Sequence, residues 1–294
     1  MNILIYGNCQ SKQIALSLQF LLMGRVQIEI IETWWADAQS RLDGAKKNEK
    51  NIDLILTNKD KEQLAKYFDK NKIVEIPSIS FGGFHPDVAQ FSLSSSPAKP
   101  FFFENNPTVS AIALTCLINK IPKDKAISLY NEDVFYKLKY FDYFDISCDA
   151  IVKSYERVDI SAIYIERFLV GREVFMHGPL HPKLNVVIGL CLGVLEKINE
   201  KPLFTIEELD GIVPDPLAKE YAWGCYPPLA SRLSVNGSWL SRNRDIVYPT
   251  VDDYLTEFYS FMSRYPAEDF QIISWDKRRY DDLHNIDNVI KEYV

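Results

Sequence analysis

The stretch Asn2–Ser11, NILIYGNCQS, decides how the rest of the chain is interpreted. It opens with a nearly continuous apolar run, NILIY, which is typical of a central parallel strand covered on both faces. A helix pattern follows from Ser11 to Met23, with apolar residues at helical spacing. The turn between them, Gly7-Asn8-Cys9-Gln10, therefore places Cys9 after a strand and at the amino end of a helix.

Strand and helix patterns then alternate along the first third of the chain. Further strands are predicted at residues 26–31, 53–57 and 73–76, and helices are predicted between them. Strands that alternate with helices at this spacing imply right-handed crossovers. The sequence thus predicts an α/β fold with a parallel, doubly wound sheet, whose ligands bind at the carboxyl ends of the strands.

The remainder of the chain is predicted to elaborate this sheet within one domain, residues 1–294. A last short strand is expected at residues 173–176, before HGPLHP. Asn106 and Pro107 are expected to open a helix as N-cap and first-turn residue. The predicted parts of the domain are the sheet core at 1–122 and 172–200, a helical insertion at 123–171, and an irregular C-terminal cap at 201–294.

Composition excludes several classes of protein. The formal net charge of −7 argues against a general nucleic-acid binder, because phosphate contacts need a basic face. The five cysteines are widely spaced and form no CxxC pair, so neither a disulfide framework nor a metal site is expected. No secretory leader pattern and no transmembrane segment is found, since no run approaches about 20 apolar residues. The expected location is the cytoplasm, with reduced thiols.

Cys9 has the position of a nucleophile. The free amides and the dipole at a helix amino end favour a thiolate and lower the pKa of a thiol there. The same amides can stabilise an oxyanion after attack on an acyl carbon. Gly7 permits a tight turn, and Asn8 can donate a hydrogen bond. A small buried cysteine at a strand end is an equally open interpretation.

A nucleophilic cysteine needs a base within hydrogen-bond reach, and two histidines are candidates. His85 and His181 are each followed by proline, in loops predicted to follow strands. Such loops lie on the same rim of the sheet as Cys9, and proline stiffens the backbone that holds the ring. Either histidine could instead only brace its loop, so the residues alone leave the choice open.

Three motifs carry a resemblance to a known family. IYGNCQS at 5–11, FGGFHPD at 81–87 and HGPLHP at 177–182 resemble those of the WcbI-type polysaccharide biosynthesis enzymes. That family is similar to the SGNH hydrolase architecture, with GNC in place of GDS, and the resemblance spans residues 2–198. It implies a three-layer α/β sandwich, SGNH- or flavodoxin-like, that binds coenzyme A and acetylates a capsular or other surface sugar.

The resemblance also implies roles for individual residues. Gly7, Asn8 and Gln10 would position the acyl group. SGNH enzymes carry an aspartate three residues before the histidine, where this chain has Gly178. The matching positions are Cys9 as nucleophile, Gly82 or Gly83 as oxyanion glycine, Asn105 or Asn106 as the asparagine of the third block, and His181 as base, with His85 as the other candidate base.

Coenzyme A carries phosphates, so its site should offer cations or helix amino ends. The run from Ser241 to Arg244 is the densest in cations, although it can also be a solvated surface stretch. The candidates by residue type and position are Ser11, Lys12, Arg172, Arg242 and Arg244.

The leading hypothesis is a coenzyme A-dependent O-acetyltransferase. It would take acetyl-CoA as substrate and a saccharide hydroxyl as acceptor, through Cys9 and a histidine base. The closest enzyme alternative is an SGNH-like esterase or acyl hydrolase, with water as acceptor. A non-catalytic sugar- or nucleotide-binding module of a polysaccharide assembly complex is the alternative outside enzymes.

Overall fold

The computed structural model describes residues 1–94, 108–171, 173–273 and 285–293. The candidate residues Asn105, Asn106 and Arg172 lie outside these ranges. Contacts divide the chain into two compact units: unit 1 is Met1–Ser80, Cys148–Met176 and Leu180–Ala218, and unit 2 is Phe81–Ser147, His177–Pro179 and Lys219–Val294. The predicted insertion and the predicted cap each contribute to both units, and the single domain stays a prediction.

The chain is a mixed α/β protein with many helices. The strands are β1 (Asn2–Gly7), β2 (Gln27–Glu32), β3 (Leu54–Thr57), β4 (Ile73–Glu75), β5 (Val88–Leu93), β6 (Thr108–Ser110), β7 (Met176–Gly178), β8 (His181–Pro182), β9 (Tyr221–Trp223), β10 (Ser241–Asn243), β11 (Ile246–Tyr248) and β12 (Phe270–Ile273). The helices are α1 (Ser11–Leu21), α2 (Ala38–Lys47), α3 (Lys61–Leu64), α4 (Ala111–Ile118), α5 (Lys123–Ser128), α6 (Glu132–Lys137), α7 (Tyr143–Tyr155), α8 (Ile163–Val170), α9 (Leu184–Lys197), α10 (Ile206–Leu209), α11 (Pro227–Leu233) and α12 (Val251–Met262).

A four-stranded parallel sheet in unit 1 confirms the predicted strands at the start of the chain. Its order is β2-β1-β3-β4, and every neighbouring pair is parallel. Ile3, Leu4 and Ile5 are all buried, although successive side chains of a strand point to opposite faces. Both faces of β1 are therefore covered, which explains its continuous apolar sequence.

The order of these strands fixes where a ligand site can lie. From β1 the chain moves to β2 on one side and later to β3 on the other side. In open parallel sheets, ligands bind outside the carboxyl ends of the strands where the winding direction changes. Gly7 ends β1 and Thr57 ends β3, so the crevice at this point begins at the Gly7–Gln10 turn.

Several predicted elements were wrong in position or type. The last strand was expected at 173–176, but β7 spans Met176–Gly178 and lies outside the four-stranded sheet. The expected helix start at Asn106 and Pro107 falls outside the described residues. The helix α4 instead begins after Ser110, whose Oγ accepts a hydrogen bond from the Ala113 amide at 3.0 Å. Serine is a strong N-cap residue. Ser110 is also the last residue of β6, so the strand leads directly into α4.

Unit 2 contains antiparallel sheets that the sequence did not reveal. The strand β5 pairs with β6 and with β12, and residues 88–93 carried no prediction. The strands β9, β10 and β11 form a second antiparallel sheet within the stretch that was predicted to be irregular. The helix α12 follows this sheet in the same stretch, from Val251 to Met262.

A buried carboxylate joins the elements of unit 2. Asp87 Oδ1 accepts hydrogen bonds from the Ile112 amide at 3.0 Å and from the Tyr140 hydroxyl at 2.9 Å. Its Oδ2 accepts one from the Tyr226 hydroxyl at 3.0 Å. Tyr130, Tyr140 and Tyr226 belong to the buried core of this unit. Tyrosine side chains of the core therefore surround Asp87, the aspartate of FGGFHPD.

The complete burial of Asp87 raises its pKa to about 6, although hydrogen bonds from Ser110, Ile112 and the two tyrosines act in the opposite direction. A raised pKa means that the folded chain retains a proton that the unfolded chain has lost between about pH 4 and pH 6. Unfolding in this window therefore releases a proton, and stability falls as the pH rises through it.

We expect the Asp87 carboxyl to lower the free energy of unfolding by about 2 kcal/mol from pH 4 to pH 6.5, because each pH unit between the unfolded and folded pKa values is worth up to about 1.4 kcal/mol. In Asp87→Asn this contribution disappears, since an amide does not titrate. Urea unfolding at several pH values gives the free energy of unfolding of both proteins. The difference between their slopes against pH measures the contribution of Asp87. Parallel pH dependences for the two proteins would show that Asp87 is not buried as described.

Candidate functional site

Asn8 shapes the turn that presents Cys9. Its Oδ1 accepts a hydrogen bond from the Gln10 amide at 3.0 Å, and its carbonyl accepts one from the Ser11 amide at 3.0 Å. Its Nδ2 donates to Ser78 Oγ at 2.7 Å. Asparagine side chains commonly stabilise turns by accepting a hydrogen bond from the backbone amide two residues ahead. The partly exposed Cys9 is thus fixed between the end of β1 and the start of α1.

Gln10 ties this turn to two other segments of unit 1. Its Nε2 donates to the Ile79 carbonyl at 2.7 Å, and its Oε1 accepts from the Ile79 amide at 3.1 Å. The same Nε2 donates to the Leu180 carbonyl at 3.1 Å. Gln10 is the N-cap residue of α1, yet its side chain does not cap the helix. The Gln10 side chain therefore does not compete with an anion for the amides of the first turn, of which the Ser11 amide already donates to the Asn8 carbonyl.

Gln13 makes the matching contact on the other side of His181. Its Nε2 donates to the Pro182 carbonyl at 3.2 Å, and it lies three residues after Gln10. Residues at this spacing share one face of a helix. The two glutamines therefore hold the carbonyls before and after His181 against the start of α1. The structure thus brings the His181 segment to the helix end where Cys9 lies.

His85 belongs to unit 2 and has a different environment. It is buried, and its Nε2 lies 2.8 Å from the Trp223 carbonyl. A carbonyl only accepts hydrogen bonds, so Nε2 carries the proton and donates it. That nitrogen is occupied as a donor and does not act as a base.

Two glycines, Gly178 and Gly83, are explained by what a side chain would meet. A Cβ on Gly178 would lie 2.8 Å from Tyr221 Cε2, which leaves no room for the aspartate of SGNH enzymes. A Cβ on Gly83 would lie 2.8 Å from the Phe144 Cα, so close packing in unit 2 requires this glycine. The Gly82 carbonyl accepts a hydrogen bond from the His85 amide at 2.9 Å.

The candidate cation residues lie in both units. Lys12 is exposed on the first turn of α1, directly after the buried Ser11. Arg242 is partly buried in β10 of unit 2. Arg244 is exposed, and its φ of 51° places it in the turn before β11. Of these, Ser11 and Lys12 belong to the same helix end as Cys9.

Two residues of this site carried no prediction. Gln13 holds the Pro182 carbonyl, and Asp215 accepts a hydrogen bond from Gln13 Nε2 at 2.5 Å. Gln13 is one of several polar residues of α1, and nothing in the local sequence singled it out. Asp215 lies beyond the resemblance, in the stretch predicted as a cap.

Burial separates the cysteines into two groups. All five lie within the described residues, and none is in a disulfide. Burial raises the pKa of Cys116 and of Cys225 to about 12, and it also raises the pKa of Cys191. Thiolates are the reactive form of cysteine, so these three are inert. Cys9 and Cys148 are partly exposed.

Clusters of metal ligands and membrane-spanning helices are both absent from the described ranges. In residues 1–94, 108–171, 173–273 and 285–293, no three or more His, Cys, Asp or Glu side chains come together as metal ligands would. The helices in the same ranges are all too short or too polar to cross a membrane.

The fold and site define an α/β protein with a cysteine at the switch point of a parallel sheet and a histidine segment held beside it. The family model of the polysaccharide biosynthesis enzyme WcbI matches residues 2–203, and the chain belongs to this family. Members of the family are polysaccharide biosynthesis enzymes. A comparison with curated proteins found no match.

A solved structure of WcbI has the same fold. The two chains share 12% sequence identity, and the superposition has a TM-score of 0.69 and covers 99% of this chain and 97% of the other. That structure is described as the native protein without a disulfide bond between coenzyme A and a cysteine.

We expect Gly7→Ala to lower the free energy of unfolding by about 1–3 kcal/mol, because the new Cβ would overpack the turn. It would lie 2.9 Å from Ser11 Oγ and 3.0 Å from Asn58 Oδ1. Gly44→Ala is the control, since nothing lies within 4 Å of its Cβ and α2 should gain roughly 0.5–1 kcal/mol. Urea unfolding compares the two variants, and equal effects would contradict the packing at Gly7.

We also expect iodoacetamide at pH 7 to modify Cys9 first and Cys148 more slowly. The buried cysteines Cys116, Cys191 and Cys225 should react only after unfolding, because burial raises the pKa of each thiol. Peptide mapping over time measures the rate at each position. A rate at Cys9 no higher than that at Cys148 would argue against an activated thiol in the Gly7–Gln10 turn.

Proposed function

We propose that the chain is a coenzyme A-dependent O-acetyltransferase that acts on a sugar hydroxyl in capsular or other surface polysaccharide biosynthesis. Cys9 is the nucleophile and His181 is its base. Acetyl-CoA is the substrate, and a saccharide is the acceptor. The proposal includes a three-layer, SGNH-like arrangement around the parallel sheet, in which Cys9 takes the place of the serine.

One observation carries the proposal: the hydrogen bonds from Gln10 to Leu180 and from Gln13 to Pro182. They fix the backbone on both sides of His181 to the helix end where Cys9 lies. A cysteine at a helix amino end with a histidine segment held beside it is the arrangement of an activated thiol. His181 is the candidate base because the described hydrogen bonds hold its segment at this helix end, whereas His85 lies in unit 2.

The proposed reaction has two steps. His181 takes the proton of Cys9, and the thiolate attacks the acetyl carbonyl carbon, forming a new S–C bond. The bond to the coenzyme A sulfur then breaks, and that sulfur leaves with the proton from His181. Next, His181 takes the proton of the sugar hydroxyl, whose oxygen attacks the acetyl group, and Cys9 leaves as a thiolate. Amides of the first turn of α1 stabilise the oxyanion in both steps.

Two comparisons support the substrate class. The chain belongs to a family of polysaccharide biosynthesis enzymes, which favours a saccharide acceptor. The structural relative is described in terms of coenzyme A and a cysteine, which favours coenzyme A as the acyl carrier near a thiol. Ser11 and Lys12, at the amino end of α1, are the proposed contacts for its phosphates in unit 1. For Arg172, Arg242 and Arg244 the same role stays a prediction from the sequence.

Acetyl-CoA alone tests the proposal. We expect saturable binding by calorimetry and, by intact mass, the gain of one acetyl group at Cys9. In Cys9→Ala the acetyl group should be absent while binding persists. In His181→Ala the rate of acetylation should fall roughly 10²- to 10⁴-fold, because a general base is lost. His177→Ala, in the same HGPLHP motif, is the matched control and should acetylate at the native rate.

Several outcomes would overturn the assignment. Absence of binding at millimolar acetyl-CoA would refute a transferase and leave a hydrolase or a binding module. Binding without acetylation of Cys9 would refute the covalent step. Equal losses in His181→Ala and His177→Ala would refute His181 as the base.

A further inference from the structure

Asp215 accepts hydrogen bonds from three separate parts of unit 1. Its Oδ1 accepts from Gln13 Nε2 at 2.5 Å and from the Leu217 and Ala218 amides, each at 3.1 Å. Its Oδ2 accepts from the Leu184 amide at 3.1 Å. Leu184 is the first residue of α9, so the carboxylate lies at the amino end of that helix, where negative charge is favourable.

The carboxylate also determines which way the Gln13 amide points. A carboxylate only accepts hydrogen bonds, so the Nε2 end of Gln13 must face Asp215. The same Nε2 then donates to the Pro182 carbonyl. In this orientation Gln13 Oε1 is buried without a hydrogen-bond partner among the described residues. A buried acceptor left unpaired is unfavourable, so Gln13 is held in this orientation by its two acceptors, the Asp215 carboxylate and the Pro182 carbonyl.

Asp215 therefore acts on both sides of the HPK stretch, His181 to Lys183. It controls Pro182 through Gln13, and it binds the Leu184 amide directly. Burial lowers the pKa of Lys183, and the negative charge of Asp215 partly offsets that effect. The aspartate is thus the shared anchor for the segment that carries His181.

We propose that Asp215 is a positioning residue that sets His181 beside Cys9 through the amide of Gln13. The inference rests on the proposed Cys9–His181 pair. It assigns a role in the site to a residue outside the part of the chain that the family model matches, residues 2–203. It also gives the chain a carboxylate that supports the histidine segment, although Gly178 stands where SGNH enzymes have their aspartate.

Alkylation of Cys9 by iodoacetamide at pH 7, read by peptide mapping, tests this positioning without acetyl-CoA. In Asp215→Asn the side chain keeps its size, but only one of its two terminal atoms accepts hydrogen bonds. The variant therefore cannot keep both the bond from Gln13 and the bond from the Leu184 amide. We expect the alkylation of Cys9 to slow roughly tenfold, because a displaced histidine stabilises the thiolate less. In a His181→Ala background, Asp215→Asn should have no further effect, because both act by one route.

Thr205→Ala is the control for a merely structural loss. Thr205 Oγ1 accepts from the Glu208 amide at 3.3 Å, so this variant weakens the cap of α10 in the same unit. It should lower the thermal midpoint and leave the Cys9 rate unchanged. A native Cys9 rate in Asp215→Asn, or the same slowing in the His181→Ala background, would overturn the positioning role.

The two proposals fail in different ways. If His181→Ala leaves the Cys9 rate unchanged, the Cys9–His181 pair is refuted, and Asp215 cannot act through it. If Asp215→Asn slows the alkylation of Cys9 only in the presence of His181, but acetyl-CoA neither binds nor acetylates Cys9, the transferase function is refuted and the positioning role stands.

Discussion

The side-chain amide of Gln10 forms two hydrogen bonds with the backbone of Ile79 and a third with the Leu180 carbonyl. Gln10 is buried, so its amide cannot bind water in the folded chain. These three bonds take the place of the hydrogen bonds to water that the amide loses on folding. The start of α1 is consequently linked to the segment after β4 and to the segment that carries His181. Without this amide, the buried backbone groups of Ile79 would lose their partner, and the His181 segment would keep only the bond from Gln13 to the Pro182 carbonyl at this helix end.

The parallel sheet was predictable because its signal is local. Each of the strands β1 to β4 lies within one residue of the predicted range. For β1 and β3 the reason is that a strand covered on both faces needs a continuous apolar run. The antiparallel strands of unit 2 have no such signal. They have three to six residues each, and β5 pairs with β12 across most of the chain. Pairing at that separation depends on tertiary packing, which overrides local propensity.

The candidate site was predictable in its reactive groups and not in its supports. Cys9 and His181 stand out because thiols and imidazoles are few and lie beside glycine and proline. Gln13 and Asp215 are ordinary polar residues 202 positions apart, and only the folded chain shows the bond between them. A sequence pattern can therefore indicate which groups could react, whereas the hydrogen bonds that orient them depend on contacts between distant segments.

The three motifs of the resemblance have different physical roles in this chain. In unit 1, Gln10 of IYGNCQS and the nearby Gln13 bind the last residues of HGPLHP, Leu180 to Pro182, and these segments supply the groups of the proposed chemistry. FGGFHPD supplies Asp87, which binds two tyrosine hydroxyls and a helix amide in the core of unit 2. Its His85 donates to a backbone carbonyl in the same core. A motif rich in glycine, histidine and aspartate can thus be required by packing and hydrogen bonding alone, and only the partners of its side chains distinguish that role from catalysis.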